Sequence, residues 1–136
     1  MNVLIDTNIL LDFIIKREPF YDDAKKIIEM CKDEKISGYI AAHSVMNIFF
    51  ILRKDFTAQE RRDILIRLMK IVSVVSIDEE KVNNALSRKD FPDFEDCLQD
   101  ECAWSCNAEY IVTRNMADYG TSKVHAIEPK GLLAMW

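Results

Sequence analysis

Residues 3–12 read VLIDTNILLD, and this stretch decides the fold. The short apolar run from Asn2 to Ile5 stops at Asp6 and predicts a buried strand. Residues 7–15 follow with apolar positions at helical spacing, so a helix is predicted directly after the strand. Asp6 therefore lies at the carboxyl end of a predicted strand, where α/β proteins bind their ligands.

The rest of the chain continues this alternation of strands and helices. Further strands are predicted at residues 36–41, 72–77, 110–113 and 124–127, and further helices at 19–32, 43–53, 57–71, 78–86, 93–106 and 129–134. The pattern predicts a single α/β domain, residues 1–136, with a mostly parallel central sheet of about four to five strands and helices on both faces. The helix at 43–53 is so apolar after Asn47 that we expect it to be buried.

Two helix starts have clear capping signals. Thr57 and Glu60 have the spacing of a capping box, and Asp78 is a suitable N-cap for the next helix.

Composition and charge exclude several classes of protein. The chain has 136 residues, a formal net charge of −5 and a pI of about 5.0, which argues against a general nucleic-acid coat but not against a nuclease with a local basic rim. The N-terminus lacks the basic region and cleavage site of a signal peptide, and no apolar run approaches the length of a membrane span. We expect a cytoplasmic protein that does not bind membranes.

The cysteines do not predict a metal site. Cys97, Cys102 and Cys106 do not share one helical face well, no CxxC occurs, and His43 and His125 are isolated. Buried, reduced thiols are the expected state of these three residues and of Cys31.

Three acidic residues are placed where they would meet. Asp6 follows the first strand, Asp118 follows the fourth, and Asp96 lies near the start of the helix that leads into the fourth strand. Each has an ordinary alternative, since Asp6 could cap a helix, Asp118 could serve a turn, and Asp93 with Asp96 could serve the start of a helix. Together they predict a cluster of carboxylates, whose repulsion a hard cation such as Mg²⁺ or Mn²⁺ would neutralise.

At this point the chain resembles the PIN-domain ribonucleases, a family of small magnesium-dependent nucleases, over essentially its whole length. VLIDTNILLD resembles the first motif of the family and implies a metal-binding acid at Asp6, with Thr7 and Asn8 shaping the turn. FEDCLQDECA resembles the third motif and implies an acid at Asp96. IVTRNMADYG resembles the fourth motif, which implies roles for Thr113, Asn115 and the acid Asp118.

The resemblance implies a Mg²⁺- or Mn²⁺-dependent endoribonuclease, the toxin of a toxin–antitoxin pair. It also implies a homodimer and a cognate antitoxin protein, with RNA as the substrate. Basic residues that could contact RNA are Lys16, Arg17, Arg53, Lys54, Arg61, Arg62 and Arg114, although for each one alone a solvated helix face is the more ordinary explanation.

One departure from the family pattern leaves an alternative open. The helix HSVMNIFFILRK carries Asn47 where the family usually has a glutamate, and Asp93, one turn before Asp96, is the residue that would restore the lost charge. The alternative function is therefore a PIN-like domain that binds RNA or protein with little catalysis. A phosphate-accepting receiver domain is a further alternative, although the single acid after the first strand does not suit it.

The acidic run DFPDFEDCLQDEC, residues 90–102, contains both candidate and ordinary residues. We interpret Asp96 as a metal ligand and Asp93 as a helix cap and supplementary acid. The other four acids, Asp90, Glu95, Asp100 and Glu101, are expected to serve solubility and helix polarity. Asp100 shares the face of Asp96 and could instead support the metal ligands, whereas Glu95 and Glu101 are expected to face away from the site, so Glu95→Gln should barely change cleavage.

Overall fold

Five parallel strands form one sheet in the computed structural model, which describes all 136 residues. The strands are β1 (Asn2–Ile5), β2 (Ser37–Ala41), β3 (Ser73–Val75), β4 (Tyr110–Val112) and β5 (His125–Ile127), and their order across the sheet is β3-β2-β1-β4-β5. Every neighbouring pair is parallel, so the carboxyl ends of all five strands lie along one edge. The predicted α/β class with a parallel sheet of four to five strands is confirmed.

Seven helices cover the two faces of this sheet. They are α1 (Thr7–Ile14), α2 (Tyr21–Lys32), α3 (Ala42–Ile51), α4 (Ala58–Leu68), α5 (Glu79–Ser87), α6 (Phe94–Ser105) and α7 (Pro129–Leu133), with two short 3-10 turns at Leu52–Lys54 and Met116–Tyr119.

The central strand β1 is buried on both faces. Val3 and Ile5 pack into a core with α1, α2 and α7, whereas Leu4 packs into a second core with α5 and α6. Successive side chains of a strand point to opposite faces, which explains why the run VLI is apolar without interruption.

Hydrogen bonds confirm the predicted helix starts. The Thr57 hydroxyl accepts from the Glu60 N–H at 3.1 Å while the Glu60 carboxylate accepts from the Thr57 N–H at 2.8 Å. Asp78 accepts from the Lys81 N–H at 3.0 Å. Asp93 accepts from the Asp96 N–H at 2.9 Å, so the acidic run does begin with a helix cap.

Most element ends lie within two or three residues of the predicted ones. The helix expected at residues 57–71 ends at Leu68, and of the strand expected at residues 72–77 only Ser73–Val75 is a strand. β3 is an edge strand of the sheet, with β2 as its only neighbour, and its Val74 side chain is 44% exposed.

The prediction that the helix at 43–53 is buried is wrong. Within α3 only Ser44 and Ile48 are buried, whereas Met46 is 74% exposed, Phe50 60% and Ile51 38%. A helix that is apolar on nearly all sides is suited either to a core or to an interface, and sequence periodicity does not distinguish the two.

The cysteine prediction holds. Cys31, Cys97 and Cys102 are buried, Cys106 is half-buried, and all four are free thiols.

No helix combines the length and the apolar character that crossing a bilayer requires.

Candidate active site

Asp6 and Thr113 join two neighbouring strands at the carboxyl edge of the sheet. Asp6 follows β1 and Thr113 follows β4, and the Thr113 Oγ1 donates to Asp6 Oδ2 at 2.8 Å. Asp6 is 8% exposed and Thr113 is fully buried. The Asn115 N–H donates to Thr113 Oγ1 at 3.0 Å, which holds the turn after β4 against the same hydroxyl.

Asp96 lies at the start of α6, beside Asp6 and Asp118. Burial raises the pKa of Asp96 to about 6, and the negative charges of Asp93, Asp6 and Asp118 add to this effect. The buried Tyr119 donates from its hydroxyl to Asp96 Oδ1 at 3.3 Å, which favours the carboxylate and lowers the pKa in part. The charges of Asp6 and Asp118 thus reach Asp96 across the site.

Asp118 lies on the 3-10 turn Met116–Tyr119 and is exposed. Burial raises the pKa of Asp6, and the Asp118 charge raises it further, whereas hydrogen bonds from Thr113 and from the Thr7 N–H lower it. The pKa of Tyr119 is also raised, by burial and then by all three acids. Asp6, Asp96 and Asp118 therefore interact with one another, and we name them the acid cluster.

The donor chemistry of the acid cluster suits a hard divalent cation. Its members offer carboxylate oxygens only, the ligands that Mg²⁺ and Mn²⁺ prefer. The structure contains no group of three His, Cys, Asp or Glu side chains already arranged to hold a metal ion. Coordination by all three acids would therefore require their side chains to move closer together, and of the three only Asp6 is buried.

A set of hydroxyl and amide groups, of which Ser44 and Gln99 are buried, begins at the residue after Asp6. Thr7, the residue after Asp6, donates from Oγ1 to Ser44 Oγ at 2.8 Å, and Gln99 Nε2 donates to Ser44 Oγ at 3.0 Å. These three residues connect the first turns of α1 and α3 to the middle of α6, and we name them the polar seam. The seam fixes the helices that carry the acids relative to one another.

The structure places the remaining predicted residues around this region. Asn8 is half-buried in the first turn of α1, and Asn115 is exposed beside Thr113. Asn47 on α3 donates from Nδ2 to Glu95 Oε1. The expectation that Glu95 faces away from the site region is therefore wrong, because Glu95 bonds to a residue of the predicted site.

Asp93, the predicted supplementary acid, is occupied by helix capping. Its Oδ1 accepts from the Asp96 N–H at 2.9 Å, although its charge still raises the Asp96 pKa.

Asp12 is a residue that the sequence interpretation missed. It is fully buried on α1. Arg114 forms a bidentate ion pair with it, with Nε 2.8 Å from Oδ2 and Nη2 3.2 Å from Oδ1. Arg17 adds a contact of 3.7 Å, and the Phe20 ring lies 3.9 Å from the Arg114 guanidinium. The available signal was the position of Asp12 three residues after Ile9, on the predicted apolar face of the helix.

Arg114 is consequently less available to RNA than predicted. It is committed to Asp12, and its positive charge lowers the pKa of Asp6. Three other candidates also have partners within the protein, because Arg17 contacts Asp12, Arg53 packs on Phe50, and Arg61 donates to the Phe49 carbonyl at 2.8 Å.

The expectation that Asp100 and Glu101 serve solubility is wrong. Asp100 is fully buried and Glu101 is 4% exposed. Arg88 Nη1 lies 2.7 Å from Asp100 and 2.8 Å from Glu101, and Lys123 Nζ lies 2.9 Å from Glu101. The N–H groups of Lys123 and Val124 also donate to Asp100, at 2.9 and 3.0 Å. These acids bind α6 to the segment before β5.

The fold and the acid cluster define an α/β protein with an acidic site at the carboxyl edge of its parallel sheet. A family model of the PIN domain matches residues 2–117. The chain therefore belongs to the PIN-domain family, as the sequence resemblance predicted.

Solved structures with the same fold are members of toxin–antitoxin systems. A toxin–antitoxin complex from Klebsiella pneumoniae is 20% identical with a TM-score of 0.71, over 93% of this chain and 97% of that one. VapBC-1 from nontypeable Haemophilus influenzae is 18% identical with a TM-score of 0.69, over 96% and 99% of the two chains.

A third structure is VapC20 from Mycobacterium tuberculosis, described as a toxin that cleaves the sarcin–ricin loop. It is 14% identical with a TM-score of 0.63, over 80% of this chain and 86% of that one. No curated protein matches the sequence significantly.

Proposed function

We propose that this chain is a divalent-metal-dependent endoribonuclease, the toxin of a toxin–antitoxin pair. Membership of the PIN-domain family and the fold shared with toxin–antitoxin proteins support the class of activity. The observation that carries the proposal is the acid cluster, in which Asp6 and Asp96 both have raised pKa values beside Asp118.

The raised pKa values support a cation as the missing partner. Carboxylates that repel one another destabilise the ionised state unless a positive charge compensates them. A positive charge that lowers the Asp6 pKa is that of Arg114, which is already paired with Asp12. Mg²⁺ or Mn²⁺, bound by Asp6, Asp96 and Asp118, is the proposed compensation.

The protein's own side chains would prepare the site. Thr113 holds Asp6 through the 2.8 Å hydrogen bond and so fixes one oxygen of the buried carboxylate. Tyr119 does the same for one oxygen of Asp96. We propose Asn8, Asn47 and Asn115 as amides that line the site and orient water or an RNA phosphate.

When bound, the divalent cation supplies an activated water and stabilises the charge that develops on the phosphodiester. The three acids would hold the cation at the carboxyl edge of the sheet, and the ionised state of Asp96 is favoured above pH 6. The reaction is hydrolysis, in which water adds to phosphorus and the bond to the leaving ribose oxygen breaks.

Cleavage assays with single-stranded and structured RNA test this function. The wild type should cut in the presence of Mg²⁺ or Mn²⁺ and stop when EDTA is added, and Asp6→Asn should remove the activity. Asp22→Asn is the matched control, since it removes an exposed acid from the first turn of α2 and should cut normally. Equal cleavage by the wild type and Asp6→Asn would refute the proposal.

Asn47 supports a second candidate function, binding of RNA or protein with little catalysis. It presents a neutral amide where the family pattern expects an acid, and it bonds to Glu95. Titration calorimetry separates the two candidates, because a protein that binds no Mn²⁺ at millimolar concentration and still retains RNA favours this second function.

We further propose that the chain forms a homodimer and binds a cognate antitoxin protein. The exposed apolar side chains of α3 and α4, which include Met46, Phe50 and Ile66, are the surface that supports a protein partner. Light scattering of the isolated chain tests the dimer, and co-purification with the product of a neighbouring small gene tests the antitoxin.

A further inference from the structure

A cavity of about 270 Å³ lies among α1, α2 and α7, at the carboxyl edge of the sheet. Its walls include residues that follow three different strands, namely Ile9 on α1 after β1, Arg114 after β4 and Glu128 after β5. The Ile9 N–H donates to the Asp6 carbonyl at 3.0 Å, in the first turn of α1. The cavity therefore begins one helical turn from the first residue of the acid cluster.

Arg114 connects this cavity to the acid cluster. It belongs to the cavity wall and directly follows Thr113, whose hydroxyl bonds to Asp6. Its positive charge lowers the pKa of Asp6, so the guanidinium lies within electrostatic reach of that carboxylate. A molecule in the cavity would thus contact a residue that also acts on the acid cluster.

One wall of the cavity is a fixed stack of flat groups. Asp12 holds the Arg114 guanidinium at 2.8 and 3.2 Å, and the Phe20 ring lies 3.9 Å from it and is 39% exposed. Aromatic rings and guanidinium planes are the surfaces on which the splayed-out bases of single-stranded RNA stack. Small-molecule sites typically measure about 300–1,000 Å³, so a cavity just below this range suits a single base.

The charges that line the cavity favour a base over a phosphate group. Because Asp12 and Arg114 neutralise each other, the remaining charged residues of the wall are Asp23, Glu128 and Lys130. Two acids against one lysine disfavour an anion. An ionised carboxylate only accepts hydrogen bonds, so it selects a ligand edge that carries N–H groups.

Asp23 is the acid best suited to recognise such an edge. It is half-buried in the first turn of α2 and forms no ion pair within the protein, whereas Glu128 is exposed. Hydrogen bonds are stronger where water is partly excluded. Guanine offers two adjacent donors, its ring N–H and its amino group, to the two oxygens of a carboxylate, whereas uracil offers one N–H.

We propose that this cavity binds one guanine base of the RNA substrate, stacked beside Phe20 and Arg114 and hydrogen-bonded to the Asp23 carboxylate. This inference rests on the ribonuclease function proposed above, and it names the base that the enzyme would select.

Binding of guanosine and uridine monophosphates in EDTA tests the cavity without any cleavage. The two nucleotides share ribose and phosphate, so the difference in their affinities, measured by NMR titration of the protein, reports the base. We expect the guanosine nucleotide to bind about ten-fold more tightly, the lower end of the effect of a bidentate contact to a base edge, and Asp23→Asn to remove this difference. Asp22→Asn removes the neighbouring exposed acid from the same helix turn and is the matched control, which should keep the difference.

Cleavage of a random-sequence RNA pool, followed by sequencing of the products, tests whether the bound base belongs to RNA. Guanine should be enriched at one fixed distance from the cut, and Asp23→Asn should remove this preference without stopping cleavage.

The outcomes separate the claims. Equal affinities for the two nucleotides, or a difference that survives in Asp23→Asn, would overturn the base-binding cavity. Selective binding of the guanosine nucleotide with no guanine preference in cleavage would overturn its assignment to the RNA substrate. Selective binding by a protein that cleaves no RNA would instead refute the proposed ribonuclease function.

Discussion

Thr113 Oγ1 lies 2.8 Å from Asp6 Oδ2, although the two residues are 107 positions apart in the chain. The bond joins the carboxyl ends of β4 and β1, which pair in the centre of the sheet. The bond also stabilises the ionised form of the Asp6 carboxylate, which is disfavoured by burial because Asp6 is only 8% exposed.

Thr113→Val tests this compensation, because valine has nearly the same shape and no hydroxyl group. Loss of the hydrogen bond should raise the Asp6 pKa further and lower the free energy of unfolding at pH 7 by about 1–3 kcal/mol, the range for a buried group left without its partner. A raised carboxyl pKa destabilises the ionised state, so the loss should shrink in acid, where Asp6 is protonated in both proteins. Urea unfolding at several pH values measures it.

Thr121→Val is the matched control for Thr113→Val. Its hydroxyl donates to the Asp90 carbonyl at 3.2 Å in an exposed loop, so its effect should stay within about 0.5 kcal/mol. A Thr113→Val loss that does not depend on pH would contradict the role of Asp6.

Asp96→Asn should stabilise the metal-free protein while it removes metal binding. The Asp96 pKa of about 6 lies above the ordinary value of 3.8, so ionisation of Asp96 destabilises the fold fully above pH 6, and this cost disappears as the pH falls from about 6 to about 4. Because Asp96 is only half-buried, solvent screens much of this effect, and we expect a rise in Tm of about 3 °C at pH 7.5 in EDTA. The amide oxygen of asparagine can still accept the Tyr119 hydroxyl.

The gain in Tm for Asp96→Asn should vanish near pH 4. Asp55→Asn, which removes an exposed acid between the 3-10 turn Leu52–Lys54 and α4, should not change Tm at either pH. Thermal unfolding followed by circular dichroism gives both values, and a variant less stable than the wild type at pH 7.5 would argue against repulsion within the acid cluster.

Arg88→Met should destabilise the protein strongly. Arg88 binds two buried acids, Asp100 and Glu101, at 2.7 and 2.8 Å, and its removal leaves Asp100 without any side-chain cation. Loss of one partner of a buried ion pair costs about 3–5 kcal/mol, measured as the change in the free energy of unfolding. Lys25→Met removes one side of an exposed 4.0 Å pair with Glu29 and should cost less than about 1 kcal/mol. Similar effects of the two variants would contradict the buried cluster.

Gly38→Ala should destabilise the sheet through close contacts with neighbouring side chains, above all Cys31. A Cβ at position 38 would lie 2.6 Å from Cys31 Sγ and 3.1 Å from Val72 Cγ1. Such overpacking costs about 1–3 kcal/mol, and Cys31→Ala in the same protein should recover part of it because the sulfur is gone. Urea unfolding of the two single variants and the double variant measures this coupling.

Gly120→Ala is the control for Gly38→Ala. Its nearest contact would be the Ala117 carbonyl at 3.6 Å, so the change should be neutral or slightly stabilising. Additive losses for Gly38→Ala and Cys31→Ala would contradict the proposed clash.

The place of the acid cluster followed from the sequence because strand ends and helix starts are local features. Asp6, Asp96 and Asp118 could be assigned to one edge once the sheet was predicted to be parallel, since all carboxyl ends then lie together. The parallel pairing of β1 with β4 then places Asp6 next to the segment that follows β4.

The roles of the other acids on α6 depended on residues that are distant in the chain. Asp100 and Glu101 are buried because Arg88 and Lys123 come from segments on either side of α6. Helical periodicity shows which residues share a face, but the composition of the opposite surface is a tertiary property. The same limit applies to Glu95, whose partner Asn47 is 48 positions away.

Asp12 and α3 show the limits of hydrophobic patterning in both directions. A buried aspartate interrupts an apolar helix face because Arg114 neutralises it from the end of β4. Met46 and Phe50 are exposed although their helix is apolar almost throughout. Burial is decided by the neighbouring elements, and hydropathy alone does not describe them.

The central position of β1 also determines when the site can assemble during synthesis. β1 is translated first, yet its second neighbour is β4, more than a hundred residues later. Contacts between such distant segments form late, because closing the long loop between them costs conformational entropy before any stabilising contact is made. On the ribosome, Asp6 therefore cannot contact Thr113 or approach Asp118 until most of this chain has emerged. A nascent chain that stops before β4 has the first acid but not the complete acid cluster.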